Sequence, residues 1–479
     1  MPPSKKGTAT DTTVQSGTII RDDVIFITKI FLLAKLLQYS LIFFTPETPF
    51  DTSTDLLLDA FHVSPDDKRK FWNRHVWNKL LSWDAVFFIK GMVRESISWI
   101  YLPEFEHEFA FSLLWISIVR WMVYRVPHFL NLSSSSSSSW SLSQMFYITL
   151  KIAVVTTNIL HYLSVLTLYF LTSTLFDSNG VYGSQIARKT AVLFIFSSAA
   201  GFLSTIYSEP LSFFTTFIGL LSRSKVVRTR FTQGSKKWVL FYLLGTTLPF
   251  VLATLNRSNC VLLGVVYLYD FFHLLSLGSS SLRKALVFPL TAGLLLFISF
   301  IIQQYYIPYN IFCSNNRAAW CNTSISTSFN LNFLTRTSLY SYIQAKYWNV
   351  GFLKYWTISN IPNFIFALPN LVTMGYASLY YCLKGQSPRL ARSTTRPLAI
   401  LTGVFLMVIL VFAHVQIINR VSSFIPLHLW FVTERLSIEE GKNGQSLTFG
   451  DRLARYYVWW LVVWVPLQTV LFASFLPPA

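Results

Sequence analysis

Apolar stretches long enough to cross a lipid bilayer recur from one end of this chain to the other. They fall at about residues 24–44, 109–126, 145–173, 188–222, 238–255, 260–278, 284–307, 361–383, 398–418 and 456–476, with a shorter one near 421–434. A helix needs roughly 20 apolar residues to span the hydrocarbon core, and several of these runs approach or exceed that length. In lipid every backbone N–H and C=O must find a partner inside the structure, which leaves helices and closed barrels. A barrel would alternate apolar and polar residues over segments of about 10, and that pattern is absent. Composition agrees: 53% of the 479 residues are hydrophobic and only 13% are charged, where a soluble chain carries about 25% charge. The expected fold is an all-α polytopic membrane protein of roughly ten to twelve helical elements.

Residues 1–23 are polar and are expected to form a disordered cytosolic segment ahead of one transmembrane domain at 24–479. The first apolar region begins too late and runs too long for a cleaved signal peptide, so it reads as an uncleaved anchor. The 188–222 run is too long for one simple span and is broken at Pro210, giving two helices or a bent one. The net charge of +18 does not point to nucleic acid. The cations sit between apolar runs, as the positive-inside rule expects, and no nucleic-acid-binding pattern accompanies them. No Walker loop, GxSxG or HExxH is present, and no His/Cys/carboxylate spacing demands a metal.

Two basic clusters orient the bundle. Arg223, Lys225, Arg228, Arg230, Lys236 and Lys237 form one, and Lys384, Arg389, Arg392 and Arg396 the other; both are expected in cytosolic loops. Counting spans from the first puts Asn256 and the loop after Ile307 on the opposite, lumenal side. There Cys313 and Cys321 become a candidate disulfide, and Asn256 and Asn322, each opening an N-x-S/T sequon, become candidate glycosylation sites. Asn131 opens a further sequon, on the cytosolic side. The serine run 133–139 reads as a flexible linker. Two long segments, about 45–108 and 308–360, open to the lumen by the same count.

The candidate chemistry lies in and near these segments. Asp84, in SWDAVFFIK, stands among aromatics where a helix could begin. It is either a helix cap or a carboxylate held near headgroup depth. Continued as a helix, Trp83, Phe87, Lys90 and Arg94 share one face, and Asp84, Phe88, Gly91 and Glu95 the next. EFEHEF follows, with Glu104, Glu106, His107 and Glu108 at the mouth of a span. These are a solvated helix start or a reactive cluster. Glu209, in YSEP, is an acid inside an apolar run, where charge faces a polar cavity or a partner. His414, Gln416 and Arg420 close another span in HVQIINR. Arg420 suits a phosphate or snorkels to the interface; His414 alone is commonly a hydrogen-bonded helix histidine.

Taken in order, WDAVFF, EFEHEFAFS, AAGFLSTIYSEPLSF, YWNVGFLKYWTISNIPNFIFALP and HVQIINR resemble the GPI mannosyltransferase 2 family, in its fungal form, over about residues 24–476. The resemblance implies a GT-C glycosyltransferase of the endoplasmic reticulum membrane with a lumenal active site. It would add the second mannose to the glycosylphosphatidylinositol precursor in α-1,6 linkage. The donor would be dolichyl-phosphate mannose, with inversion at the anomeric carbon and no further cofactor or metal. On that reading Asp84 is the base or orienting acid, with Glu106 and His107 as second candidates. Lys90, Arg94 or Arg420 would balance the departing phosphate, and Trp83, Glu209, His414 and Gln416 would line the substrates. The partners implied are the two lipid-linked substrates and a small membrane subunit. One departure is local: the family continues its acidic cluster with a Phe-Pro-Leu-type segment, and here the chain reads Phe111-Ser112-Leu113. The alternatives are another dolichyl-phosphate-sugar transferase of the same architecture, a lipid transporter or scramblase, or a non-catalytic subunit of a membrane complex. Inverted repeats typical of transporters are absent.

Overall fold

A computed structural model describes residues 9–46, 49–94, 98–129, 141–176, 181–228, 241–276, 285–314, 318–322, 337–383, 389–440 and 446–477. Among the described residues all regular structure is helical, as the apolar runs require. Six helices are long and apolar enough to cross a membrane: Ile20–Phe44, Leu142–Phe176, Ser258–Ser276, Val287–Cys313, Ala391–Phe412 and Phe449–Ala473. Helices Leu113–Phe129, Val181–Ile195, Glu209–Arg228, Leu248–Asn256, Ile361–Leu383 and Leu427–Glu440 pack among them. Exposed Leu32, Leu33 and Leu36 on the first of the six, and Leu290, Leu294 and Leu295 on the fourth, face outward, as side chains meeting lipid must.

The first helix begins earlier than its hydrophobicity suggests. It runs Ala9–Phe44, so residues 9–23 are helical and not disordered, while residues 1–8 lie outside the described residues. Asp23 explains the extension: it is buried, it accepts hydrogen bonds from Tyr169 and Ser184, and Arg188 lies 3.6 Å away. A helix tethered there by its polar face continues naturally into the preceding turns.

The 188–222 run resolves into two helices, Val181–Ile195 and Glu209–Arg228. Pro210 lies in the first turn of the second, where its missing N–H costs nothing. The chain between them, 196–208, is non-α and buried. Irregular backbone is tolerated in such a place only where side chains satisfy it, and here they do. Lys35 Nζ donates to the Leu203 carbonyl at 2.8 Å, Tyr39 Oη to Ser204 at 2.8 Å and Trp115 Nε1 to Ile206 at 2.8 Å; Gly201 N–H donates to Gln468 Oε1 at 2.6 Å. A Cβ on Gly201 would come within 3.1–3.2 Å of Gln468, Phe472 and Thr469, so only glycine lets the last helix press this close.

The basic clusters are less loop-like than expected. Arg223 sits inside the helix Glu209–Arg228, fully buried, with its guanidinium on both oxygens of Asp270 and Tyr242 donating to the same acid. A charge so buried requires that pairing. Lys225 is in the same helix, and Arg389, Arg392 and Arg396 open the helix Arg389–Phe412. Arg230, Lys236, Lys237, Lys384, Asn131 and the serine run lie outside the described residues. Ser112 accepts from Trp115 N–H at 3.0 Å and caps the helix Leu113–Phe129, so this helix starts without the proline the resemblance led us to expect.

Candidate active site

The segments 45–108 and 308–360 meet, although hundreds of residues separate their ends. Glu106 is their joint. It is buried, and its carboxylate accepts from Trp320 N–H at 2.7 Å, Lys346 Nζ at 3.1 Å and Tyr347 Oη at 3.4 Å. Tyr342 first and then Glu106 raise the Lys346 pKa above its ordinary value. Cys313 and Cys321 form a disulfide beside this joint, and Phe109 packs on Phe312. His107 lies among Phe87, Phe105 and Tyr347, and burial lowers its pKa, which keeps the imidazole neutral at neutral pH. Glu106 and His107 thus hold two segments together.

Asp84 opens the helix Ala85–Val93, but its carboxylate caps nothing. Only its backbone carbonyl enters the helix, accepting from Phe87 and Phe88 N–H. The chain turns sharply just before it, at Trp83, whose φ of 60° is unusual for so large a residue. Trp83 packs on Phe475 with ring centroids 5.4 Å apart. The Asp84 carboxylate instead accepts from Arg420 NH1 at 2.6 Å. Its side chain stays 34% exposed, and that of Arg420 16%, so the acid is gripped and still reachable.

Arg420 joins a longer chain of charge. Its Nε lies 3.1 Å from Glu209 Oε1, and Arg257 NH1 donates to the same oxygen at 2.8 Å. Two acids and two guanidiniums therefore alternate as Asp84, Arg420, Glu209, Arg257. Burial works against the Arg420 charge, but Asp84 and Glu209 outweigh it and raise its pKa above the ordinary value. The guanidinium also lies over the rings of Phe202 at 5.1 Å and Tyr207 at 5.3 Å, a placement that favours a planar cation. Arg420 stands on the short turn Ile418–Val421. Its neighbour Asn419 fixes that turn, accepting from Asn370 at 2.8 Å and donating to the Phe366 carbonyl at 3.1 Å.

Lys90 and Arg94, expected on the face next to Asp84 as cations near its carboxylate, pair with another acid. The helix stops at Val93, and Arg94 turns away as its C-cap. Arg94 binds both oxygens of Glu108, at 2.6 and 3.1 Å, and Lys90 lies 3.4 Å from the same acid. Tyr101 Oη and Glu104 N–H also donate to Glu108. Burial alone would raise the Glu108 pKa, but Arg94 and these donors bring it to about 2. A carboxylate with a depressed folded pKa stabilises fully above its ordinary value of 4.5, and the contribution is lost as pH falls through about 2. We expect Glu108→Gln to lower stability by about 3 kcal/mol at neutral pH, since it removes the buried charge on which Arg94 and Lys90 converge. The gap to wild type should close on acidification below pH ~4. Thermal melts across pH check both.

His414 and Gln416 lie beyond the end of the helix Arg389–Phe412, not inside a span. His414 stacks on Tyr355 at 4.6 Å and its Nε2 bonds the Trp348 carbonyl at 3.0 Å; Gln416 accepts from Tyr355 Oη. Burial lowers the His414 pKa. Both residues fasten the segment 348–355 to the turn that carries Arg420.

Asn256 cannot carry a glycan in this fold. It is buried, with its amide donating to Ser208 and Ser212 at 2.7 Å and accepting from Ser112 at 2.6 Å. Asn322 is exposed. Peptide mapping by mass spectrometry should find Asn256 unmodified. Arg257, inside the same sequon pattern, and Tyr340, whose raised pKa reflects burial modulated by Arg257, Arg420, Asp84 and Glu209, were not foreseen. The cue at Arg257 was a cation placed at a helix end opposite the expected cytosolic face. Among the described residues no three His, Cys, Asp or Glu side chains are grouped to hold a metal ion.

The signature of the mannosyltransferase (PIG-V) family matches residues 23–479. GPI mannosyltransferase 2 of Saccharomyces cerevisiae is 43% identical over 464 residues, covering 95% of this chain and 100% of that protein. Its counterpart in Candida glabrata is 41% identical over 94% of this chain and 98% of its own length. Among solved structures, the Archaeoglobus fulgidus oligosaccharyltransferase aligns with a TM-score of 0.46 at 12% identity, over 94% of this chain and 55% of that one.

Proposed function

The chain belongs to the PIG-V mannosyltransferase family, and from that premise we propose how it works and on what. It is a glycosyltransferase that moves mannose in glycosylphosphatidylinositol synthesis. The reading taken here is that it adds the second mannose, from dolichyl-phosphate mannose, in α-1,6 linkage. The reaction lies at the lumenal face of the endoplasmic reticulum membrane. The Cys313–Cys321 disulfide, in a segment that folds onto the surroundings of Asp84, supports an oxidising compartment for this face.

The observation that carries the site is the Asp84–Arg420 pair, drawn together from opposite ends of the sequence. A displacement with inversion needs an in-line hydroxyl, a group to take its proton and a positive charge for the leaving phosphate. The acceptor oxygen forms its bond to the mannose anomeric carbon as the carbon–oxygen bond to phosphate breaks. Asp84 takes or orients the hydroxyl proton, and dolichyl phosphate departs with the bonding pair. Arg420 uses NH1 on Asp84 and Nε on Glu209, so its other terminal nitrogen is available to a phosphate oxygen. Arg257 reinforces the positive charge from behind Glu209. Lys90 and Arg94, engaged by Glu108, are not assigned to the phosphate.

This reading assigns no metal to the step, because the two guanidiniums already supply the charge a cation would. Transfer should therefore survive EDTA undiminished; loss of activity restored by a divalent ion would refute that part. A small partner subunit suggested by the fungal resemblance is kept as a proposal, tested by asking whether the purified chain turns over alone. The central experiment uses microsomes lacking the endogenous enzyme, supplied with dolichyl-phosphate mannose and the one-mannose precursor. Appearance of the two-mannose product, with its linkage determined, supports the reading. Mannose transfer to a different lipid-linked acceptor would replace it with that of a related transferase.

A further inference from the structure

Beside the charge chain lies an open cavity of about 360 Å³, bulk solvent at its mouth included. Its lining includes Ser112, Asn256, Arg257, Gln303, Gln304 and Tyr340. Two adjacent polar side chains on this lining are not fully satisfied. Gln304 is 2% exposed and Gln303 9%, and the side-chain carbonyl of each is buried without a hydrogen-bond partner among the described residues. Gln303 is held in place through its other end, donating to the Leu255 carbonyl at 2.7 Å.

An unmet buried acceptor costs about 1–3 kcal/mol, so each of these oxygens calls for a donor from whatever fills the cavity. They lie side by side because the chain adopts a π-helical turn at Ile302–Tyr306. Turns of that kind are frequent at functional sites, where they re-aim side chains. Both open amide oxygens need donors. Arg257 brings a fixed donor, and the Tyr340 hydroxyl either gives or accepts. Vicinal hydroxyls on a pyranose ring meet all of these, because each hydroxyl donates once and accepts twice. A phosphodiester anion offers no donors, and inorganic phosphate as the dianion only one, so neither satisfies both glutamine oxygens.

We propose that this cavity is a hexose-binding subsite in which Gln303 and Gln304 accept hydrogen bonds from ring hydroxyls and Arg257 fixes the ring against Glu209. The proposal rests on the mannosyltransferase reading above. Two lipids could bring such a ring, the mannose of the donor or the sugar of the acceptor, and the test separates them. Full-length protein in nanodiscs, carrying Asp84→Asn so that no turnover intervenes, is titrated with dolichyl-phosphate mannose and, separately, with the one-mannose precursor. Gln304→Met is added as an isosteric loss of the acceptor group, and Gln304→Glu as a change that keeps it. A site built to bond a hydroxyl loses about 10-fold or more in affinity when a buried partner disappears.

The expected result is that Gln304→Met weakens one of the two lipids by that factor, identifying which ring the cavity holds, and spares the other. Gln304→Glu should retain most of the affinity. Unchanged binding of both lipids means the cavity holds only water and overturns the proposal. Equal weakening of both in a variant with unaltered thermal melting overturns it too. Should Gln304→Met fail to fold, Gln303→Met, which removes the neighbouring acceptor, is read in its place: selective weakening of one lipid supports the subsite, and unchanged binding of both refutes it. Because binding is measured without turnover, failure here is distinct from failure of the assigned reaction, which shows as absent product with wild-type protein.

Discussion

Asp84→Asn removes mannose transfer while leaving a folded protein that still binds donor lipid. The expected loss in turnover is about 10²–10⁴-fold, the range for a positioned acid–base group. Asparagine preserves shape and can still accept from Arg420 NH1, which now bonds the carboxylate at 2.6 Å. It cannot take a proton from the acceptor hydroxyl. The side chain makes no cap bond to its own helix, so the substitution deprives the helix Ala85–Val93 of nothing. Thermal melting close to wild type, with product formation gone, is therefore the combined signature. Undiminished turnover would remove Asp84 from the mechanism. Glu106 and His107 would then need reconsideration despite their structural bonds.

Arg420→Lys is expected to have the next largest effect, a fall of about 10²–10³-fold in turnover, as when a preorganised charge donor is lost. The charge survives, but the geometry does not. One ammonium on a flexible stem cannot reproduce a planar fork that bonds Asp84, approaches Glu209 at 3.1 Å and lies over Phe202 and Tyr207. Glu209 keeps Arg257 at 2.8 Å, so the buried acid is not abandoned and the protein should persist. Steady-state transfer at varied donor concentration checks this. A rise in KM alone would mean that Arg420 only holds the donor, and a fall in kcat that it acts as the phosphate leaves.

The helical membrane fold was legible because lipid imposes a simple rule on length and polarity. Asp84 drew attention for a related reason: a lone acid among aromatics stands out where charge is scarce. Arg420 was named, but nothing in local spacing could tell that it meets Asp84 across 336 positions of sequence. Arg94 was misplaced because helical periodicity was carried past Val93, where the helix in fact ends; Lys90 lies within the helix, and what spacing did not reveal is the pull of Glu108 from outside it. Asn256 was read by its sequon, a pattern that says nothing about burial. Arg257 beside it went unremarked because cations at helix ends usually seek water. Gln303 and Gln304 depend on a π-helical turn, for which apolar periodicity carries no signal.

The span between Asp84 and Arg420 also sets when this enzyme can come into being. Asp84 and Glu209 are both made long before the cation they share. At about 5–20 residues per second, the ribosome needs roughly 20–70 s to travel from one partner to the other. Until Arg420 is made, the growing chain carries Asp84, and later Glu209 as well, without the cation of the proposed centre. A product cut short before residue 420 should therefore be inert, however well its first helices are inserted.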